Sequence, residues 1–130
     1  MSELRLYAIA NAEALKAAGG NRGKMMAQAG HAFLHAFWNA QERIDGNGPH
    51  RASQYQFSGA AVKIVLVAEN EAALRTYFKA MDENQIGIGI TLVTDAARTV
   101  FPEPTVTFLG IGPITANEAP DWLKELRVLI

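Results

Sequence analysis

Asn21-Arg22-Gly23-Lys24-Met25-Met26-Ala27-Gln28-Ala29-Gly30-His31-Ala32 opens the longest stretch of this chain that can form one helix. Asn21 follows the breaker Gly19-Gly20 and can cap a helix, and residues 25–44 contain no Gly or Pro except Gly30. The spacing predicts about five to six helical turns, stopped by Asp45-Gly46-Asn47-Gly48-Pro49. On a helical wheel Lys24, Gln28, His31 and His35 share a stripe about 60° wide, with Met26, Phe33 and Phe37 opposite. A narrow polar seam on a mostly apolar cylinder implies burial on more than one side.

Outward from this helix, residues 5–9 read as a short apolar strand, and residues 11–20 as a helical or loop connector. Residues 45–59 read as a polar loop. Ala60-Ala61-Val62-Lys63-Ile64-Val65-Leu66-Val67-Ala68 is the β-branched run of a buried strand. Asn70 caps a second long helix over residues 71–83, with Leu74, Tyr77, Phe78 and Met81 on one side. Ile86, Ile88, Ile90 and Leu92 alternate with Gly87, Gly89, Thr91 and Val93 in a third strand, and residues 105–111 make a fourth. Pro120 starts a short last helix. The order predicts an α/β fold: a three-layer α/β/α domain over residues 1–130, around a small four-stranded mixed, mostly parallel sheet.

Composition agrees with one core. The chain has 130 residues, 49% of them hydrophobic, with a net charge of −1 and no cysteine. Lacking cysteine, it can form neither disulfides nor thiolate chemistry, which suits a reducing compartment. Residues 1–9 do not resemble a secretory leader, and no apolar run approaches the roughly 20 residues a bilayer requires, so a cytoplasmic protein without membrane segments is expected. Charge is uneven. Residues 1–63 carry seven Lys and Arg against four acids, and the remainder five against nine. A basic patch from Lys16, Arg22, Lys24, Arg43 and Arg51 and a solvated mixed surface are both open.

Lys24 sits in the first helical turn, where the dipole disfavours a cation by a few tenths of a kcal/mol. It is either a solvated lysine or part of an anion site with the free N–H groups of that helix end. A nucleotide-binding P-loop is excluded, because Ala18 and Met25 stand where that motif needs Gly and Ser or Thr. His31 and His35 have the i, i+4 spacing of zinc-binding helices, but Ala32 replaces the required Glu and no third ligand is evident. No metal and no cofactor are expected, and both imidazoles read better as hydrogen-bonded groups in or beside the core.

A second segment, Thr94-Asp95-Ala96-Ala97-Arg98-Thr99, begins as the third strand ends and leads through Pro102 and Pro104 to Thr105-Val106-Thr107-Phe108-Leu109-Gly110-Ile111-Gly112-Pro113. Ligands of open α/β sheets gather at the carboxyl ends of strands. If the third strand lies parallel and adjacent to the first, Asp95 meets the start of the long helix and pairs with Lys24. A turn-capping aspartate is the competing reading.

Together, R-G-K-x-x-x-Q-x-x-H-A at residues 22–32, D-A-x-x-T at residues 95–99, the proline-containing turn, T-x-T and I-G-P resemble the second, archaeal and eukaryotic, type of peptidyl-tRNA hydrolase, or a divergent bacterial-like relative with its fold. The resemblance spans most of the chain and implies hydrolysis of the ester joining a nascent peptide to tRNA. It implies a catalytic set of Lys24, Asp95, Thr99 and Thr107, with Arg22, Gln28, His31, Arg98 and Thr105 as substrate-binding positions, and a homodimer. The chemistry suits these groups: Asp95 oriented by Lys24 positions or deprotonates water, and Thr and Lys donors stabilise the oxyanion. This chain departs from the family pattern at Ala97, where the family has Gly, and at Pro102-Glu103-Pro104, where it has Pro-Gly. Alanine disfavours a positive φ and proline removes an N–H, so a loop of altered shape is expected. Two functions follow: a peptidyl-tRNA hydrolase, or a non-hydrolytic relative that binds a small ligand or a partner protein.

Overall fold

The computed structural model describes residues 3–43, 51–82, 87–97 and 101–130. Strand β1 (Leu4–Asn11) is followed by helices α1 (Ala12–Ala17), α2 (Arg22–Glu42) and α3 (Arg51–Ser58). Strand β2 (Lys63–Ala68), helix α4 (Glu71–Asp82), strands β3 (Gly89–Asp95) and β4 (Thr105–Thr115), helix α5 (Asp121–Glu125) and strand β5 (Arg127–Val128) complete the order.

The sheet has five strands in the order β3-β4-β1-β2-β5, not four. Only β1 and β2 pair in parallel; β1–β4, β3–β4 and β2–β5 are antiparallel, so the sheet is mixed but not mostly parallel. The connection over residues 96–104 is shorter than the dozen or so residues of a parallel crossover, and β4 folds back against β3. β3 thus runs parallel to β1 with β4 between them, and their carboxyl ends share one edge. The fifth strand, two residues long, pairs Val128 with Leu66 and Arg127 with Val67.

Alternation divides the sheet between two cores. Tyr7, Ile9, Leu66, Ile88, Ile90, Leu109 and Ile111 pack with Leu74 and Met81 of α4 and Leu123 of α5. Each such aliphatic side chain, fully buried, stabilises the fold by about 1.5–3 kcal/mol. Asn70 caps α4 through its side chain, which accepts the Ala73 N–H at 3.0 Å. On the opposite face Ala8, Ala10, Val93 and Phe108 meet Ala14 of α1 and Met25 and Ala32 of α2.

The α2 face is built from small residues. Ala32, Ala36 and Ala40 are fully buried, and beneath them lie Gly89 and Gly110, where a Cβ would stand 1.8 Å from the Ala36 carbonyl oxygen and 2.2 Å from that of Ala32. Helix and sheet therefore meet backbone to backbone. The helix buries one face, not several: Met26, Leu34 and Trp38 are exposed, and Phe33 and Phe37 half-buried. Within the expected polar loop, α3 forms because Ala52 and Tyr55, one turn apart, bury themselves. Tyr55 packs with Leu6 and Ala36, and its hydroxyl donates to the Val62 carbonyl at 3.1 Å. The expected helix stop at 45–49, and Ile86, lie outside the described residues.

Candidate active site

Three elements deliver the polar groups. Asn21 caps α2, its side chain accepting the Lys24 N–H at 3.0 Å, which sets the first turn and the direction of the Lys24 stem. β3 ends on Asp95. Lys24 Nζ lies 2.6 Å from Asp95 Oδ2, with side chains 21% and 3% exposed. The pair forms although β4 separates the two strands, because the helix start overhangs the edge where β3 ends.

Both carboxylate oxygens of Asp95 are held. Oδ1 accepts the Ala97 N–H at 2.8 Å, while Oδ2 also accepts Gln28 Nε2 at 3.3 Å. The Lys24 ammonium beside it, aided by the Ala97 N–H, holds the Asp95 carboxyl below the usual carboxylate range against the opposing effect of burial. Asp95 is an anion at neutral pH. Ala97 adopts φ +64°, the left-handed conformation for which glycine is suited, so the turn after β3 keeps the shape that its alanine disfavours.

Thr107 reaches the network from behind. Val93 pairs with Phe108 but Thr94 pairs with Val106, so Thr107 is the extra residue of a β-bulge. The bulge aims Thr107 at α2, where its wholly buried hydroxyl donates to Gln28 Oε1 at 2.8 Å. Gln28 is also buried and spends its amide on both neighbours, giving a connected line Thr107–Gln28–Asp95–Lys24. In front of the line lies a recess of about 200 Å³ formed by Lys24, Gln28, His31, Thr94, Asp95 and Ala96.

The other expected residues separate. His31 borders the recess and His35 does not; both are exposed rather than tucked into the core, and the His35 ring stacks on Trp38 at 5.5 Å. Thr105 stands opposite Asp95 in the β3–β4 register, with its hydroxyl donating to the Glu103 carbonyl at 2.8 Å. Arg22 is exposed on the first turn of α2, outside the recess. Arg98 and Thr99 lie outside the described residues. The basic patch divides. Arg43 pairs with Asp82 and Arg51 with Glu118, leaving Lys16 and Arg22 exposed near the helix start. Among the described residues no group of three His, Cys, Asp or Glu side chains could hold a metal, and no helix is long and apolar enough to cross a membrane.

Sequence reasoning missed Asn11. Its side chain is buried, caps α1 by accepting the Glu13 and Ala14 N–H groups, and donates from Nδ2 to the Val106 carbonyl at 2.8 Å. An Asn at the junction of a strand and a helix is the only signal the sequence carries for it.

Compared with known proteins, the chain matches the family Peptidyl-tRNA hydrolase PTH2 over residues 11–129. It is 35% identical to a peptidyl-tRNA hydrolase of Methanococcus maripaludis over 83% of this chain and 87% of the relative. The corresponding protein of Methanocaldococcus jannaschii is 30% identical over 85% of this chain and 90% of its own length. The human mitochondrial peptidyl-tRNA hydrolase 2 is 29% identical over 74% of this chain and half of the relative.

Proposed function

The chain belongs to the peptidyl-tRNA hydrolase PTH2 family and hydrolyses the ester bond of peptidyl-tRNA, and from that premise we propose that Lys24 and Asp95 are its catalytic residues. The observation that carries the assignment is their 2.6 Å pair at the rim of the recess. Water adds to the ester carbonyl, the tetrahedral oxyanion collapses, the bond to the ribose oxygen breaks, and the water proton ends on that oxygen. Lys24 gives one N–H to Asp95 and turns the others toward the carbonyl oxygen as negative charge develops there. Asp95 holds Lys24 in place, and its remaining lone pair accepts a hydrogen bond from the attacking water. Gln28 and Thr107 act as positioning residues, since Thr107 is wholly buried and reaches Asp95 only through Gln28.

Thr99 joins the catalytic set on its place in the D-A-x-x-T motif. His31, Arg22 and Thr105 contact substrate, and Arg98 joins them on its place in the same motif, the two arginines acting through phosphates. No observation favours the non-hydrolytic alternative. Cleavage of peptidyl-tRNA by the purified chain, lost in Lys24→Ala and Asp95→Ala, is the expected result; an intact substrate with the wild-type protein would sink the reading.

The chain works as a homodimer in the cytoplasm on this proposal. Met26, Leu34 and Trp38 are 75%, 44% and 50% exposed beside a groove of about 800 Å³ bordered by Phe33, Phe37 and Tyr55. This exposed apolar patch supports a self-complementary interface, to which a second copy presents the same side chains. Sedimentation of wild type as a dimer and of Trp38→Glu as a monomer is expected. A monomeric wild type at micromolar concentration would refute it.

A further inference from the structure

β1 ends at Asn11, where the chain turns into α1, and its pairing with β4 stops at Ala10 and Phe108. The Val106 carbonyl, at the bulge, is met instead by the Asn11 side-chain amide at 2.8 Å. That amide is itself immobilised, because its oxygen accepts the Glu13 and Ala14 N–H groups at 3.0 and 3.3 Å and the residue is 4% exposed. The next residue along β4 is Thr107, whose hydroxyl starts the line to Gln28 and Asp95.

We infer that Asn11 is a positioning residue for the hydrolysis: by fixing the Val106 carbonyl it holds the β4 bulge in the geometry that aims Thr107 at Gln28. This rests on the reading of Lys24 and Asp95 as the catalytic pair supported by Gln28 and Thr107. Asn11 has two duties, and they separate by substitution. Serine still caps a helix but is too short to reach Val106, whereas aspartate caps and presents an acceptor to that carbonyl.

The test is a double-mutant cycle on peptidyl-tRNA cleavage with Asn11→Ser and Thr107→Val. Asn11→Ser is expected to lower kcat about ten-fold, in line with the cost of small misplacements, with KM unchanged and the thermal midpoint lowered but the fold retained, because the buried Val106 carbonyl loses its donor. In the Thr107→Val background the same substitution should lower kcat no further. Asn11→Asp carries the same cycle if the serine variant does not fold. An unchanged kcat in Asn11→Ser beside an impaired Thr107→Val overturns the role of Asn11 alone. An unchanged kcat in Thr107→Val overturns the supporting network as well. Equal losses in both backgrounds would mean that Asn11 acts elsewhere, and would also overturn the inference.

Discussion

Gly110 of β4 lies directly under Ala32 of α2, so close that a Cβ on the glycine would stand 2.2 Å from the Ala32 carbonyl oxygen. Backbone, not a flexible side chain, occupies the space. Gly110→Ala must therefore lift the helix or bend the strand, and a destabilisation of about 3 kcal/mol is expected from forced overpacking. Urea denaturation measures it. Because α2 carries Lys24 and Gln28, any folded fraction of the variant should also lose hydrolysis; a variant with wild-type stability would contradict the close packing.

Lys24→Met leaves Asp95 buried with the Ala97 N–H and Gln28 but without its cation. Burial then dominates, and the carboxyl pKa, below 3.8 in the wild type, should rise. In the wild type the depressed carboxyl contributes stability that is present above pH 3.8 and lost as pH falls through its folded value. In the variant a raised pKa reverses the sign, and stability should increase as pH falls. Carbon-detected NMR titration of Asp95 reports the pKa, and kcat should fall about 100- to 1,000-fold.

Ala97 tests the turn. At φ +64° an L-residue is strained by about 1–2 kcal/mol, and glycine relieves this at an entropic cost of roughly half that. Ala97→Gly is expected to leave hydrolysis intact and to raise stability by up to about 1 kcal/mol. Thermal unfolding decides it, and a clear loss of stability would count against the strain.

The Arg51–Glu118 pair joins α3 to the segment after β4, through two hydrogen bonds of 2.7 and 2.8 Å. Arg51 chiefly, with help from Thr115, depresses the Glu118 carboxyl from 4.5 to about 2. Its contribution to stability is complete above the unfolded value of 4.5 and is lost as pH falls toward 2. Glu118→Gln should lower stability at pH 7, discounted because the pair is partly exposed, and flatten acid unfolding across that window so that the two proteins converge toward pH 2; equal acid sensitivity in both proteins would refute the coupling.

Much of this was legible in advance. The alternation of Ile88, Ile90 and Leu92, the apolar face of α4 and the long helix after Asn21 follow from periodicity, which depends on local geometry alone. The meeting of Lys24 and Asp95 followed from strand direction, and it survived the misplaced neighbour because β3 and β1 still point the same way. Sheet order did not read out, since β4 inserts between strands that a parallel pattern would have joined. α3 was hidden by its polar surface, and β5 by its two-residue length. Thr105-Val106-Thr107 reads as regular alternation, so nothing in it betrays the bulge or the part that Asn11 takes in it.

That bulge makes the site depend on counting as well as on chemistry. Side chains alternate along a strand, and one surplus residue in β4 is what turns Thr107 to the α2 side. Any homologue that shortens this stretch by one residue can keep every threonine and still send the hydroxyl to the wrong face. Length between Thr105 and Gly110 is therefore itself a character of the sequence, and deletion of one residue there is expected to turn Thr107 away from Gln28 and impair hydrolysis.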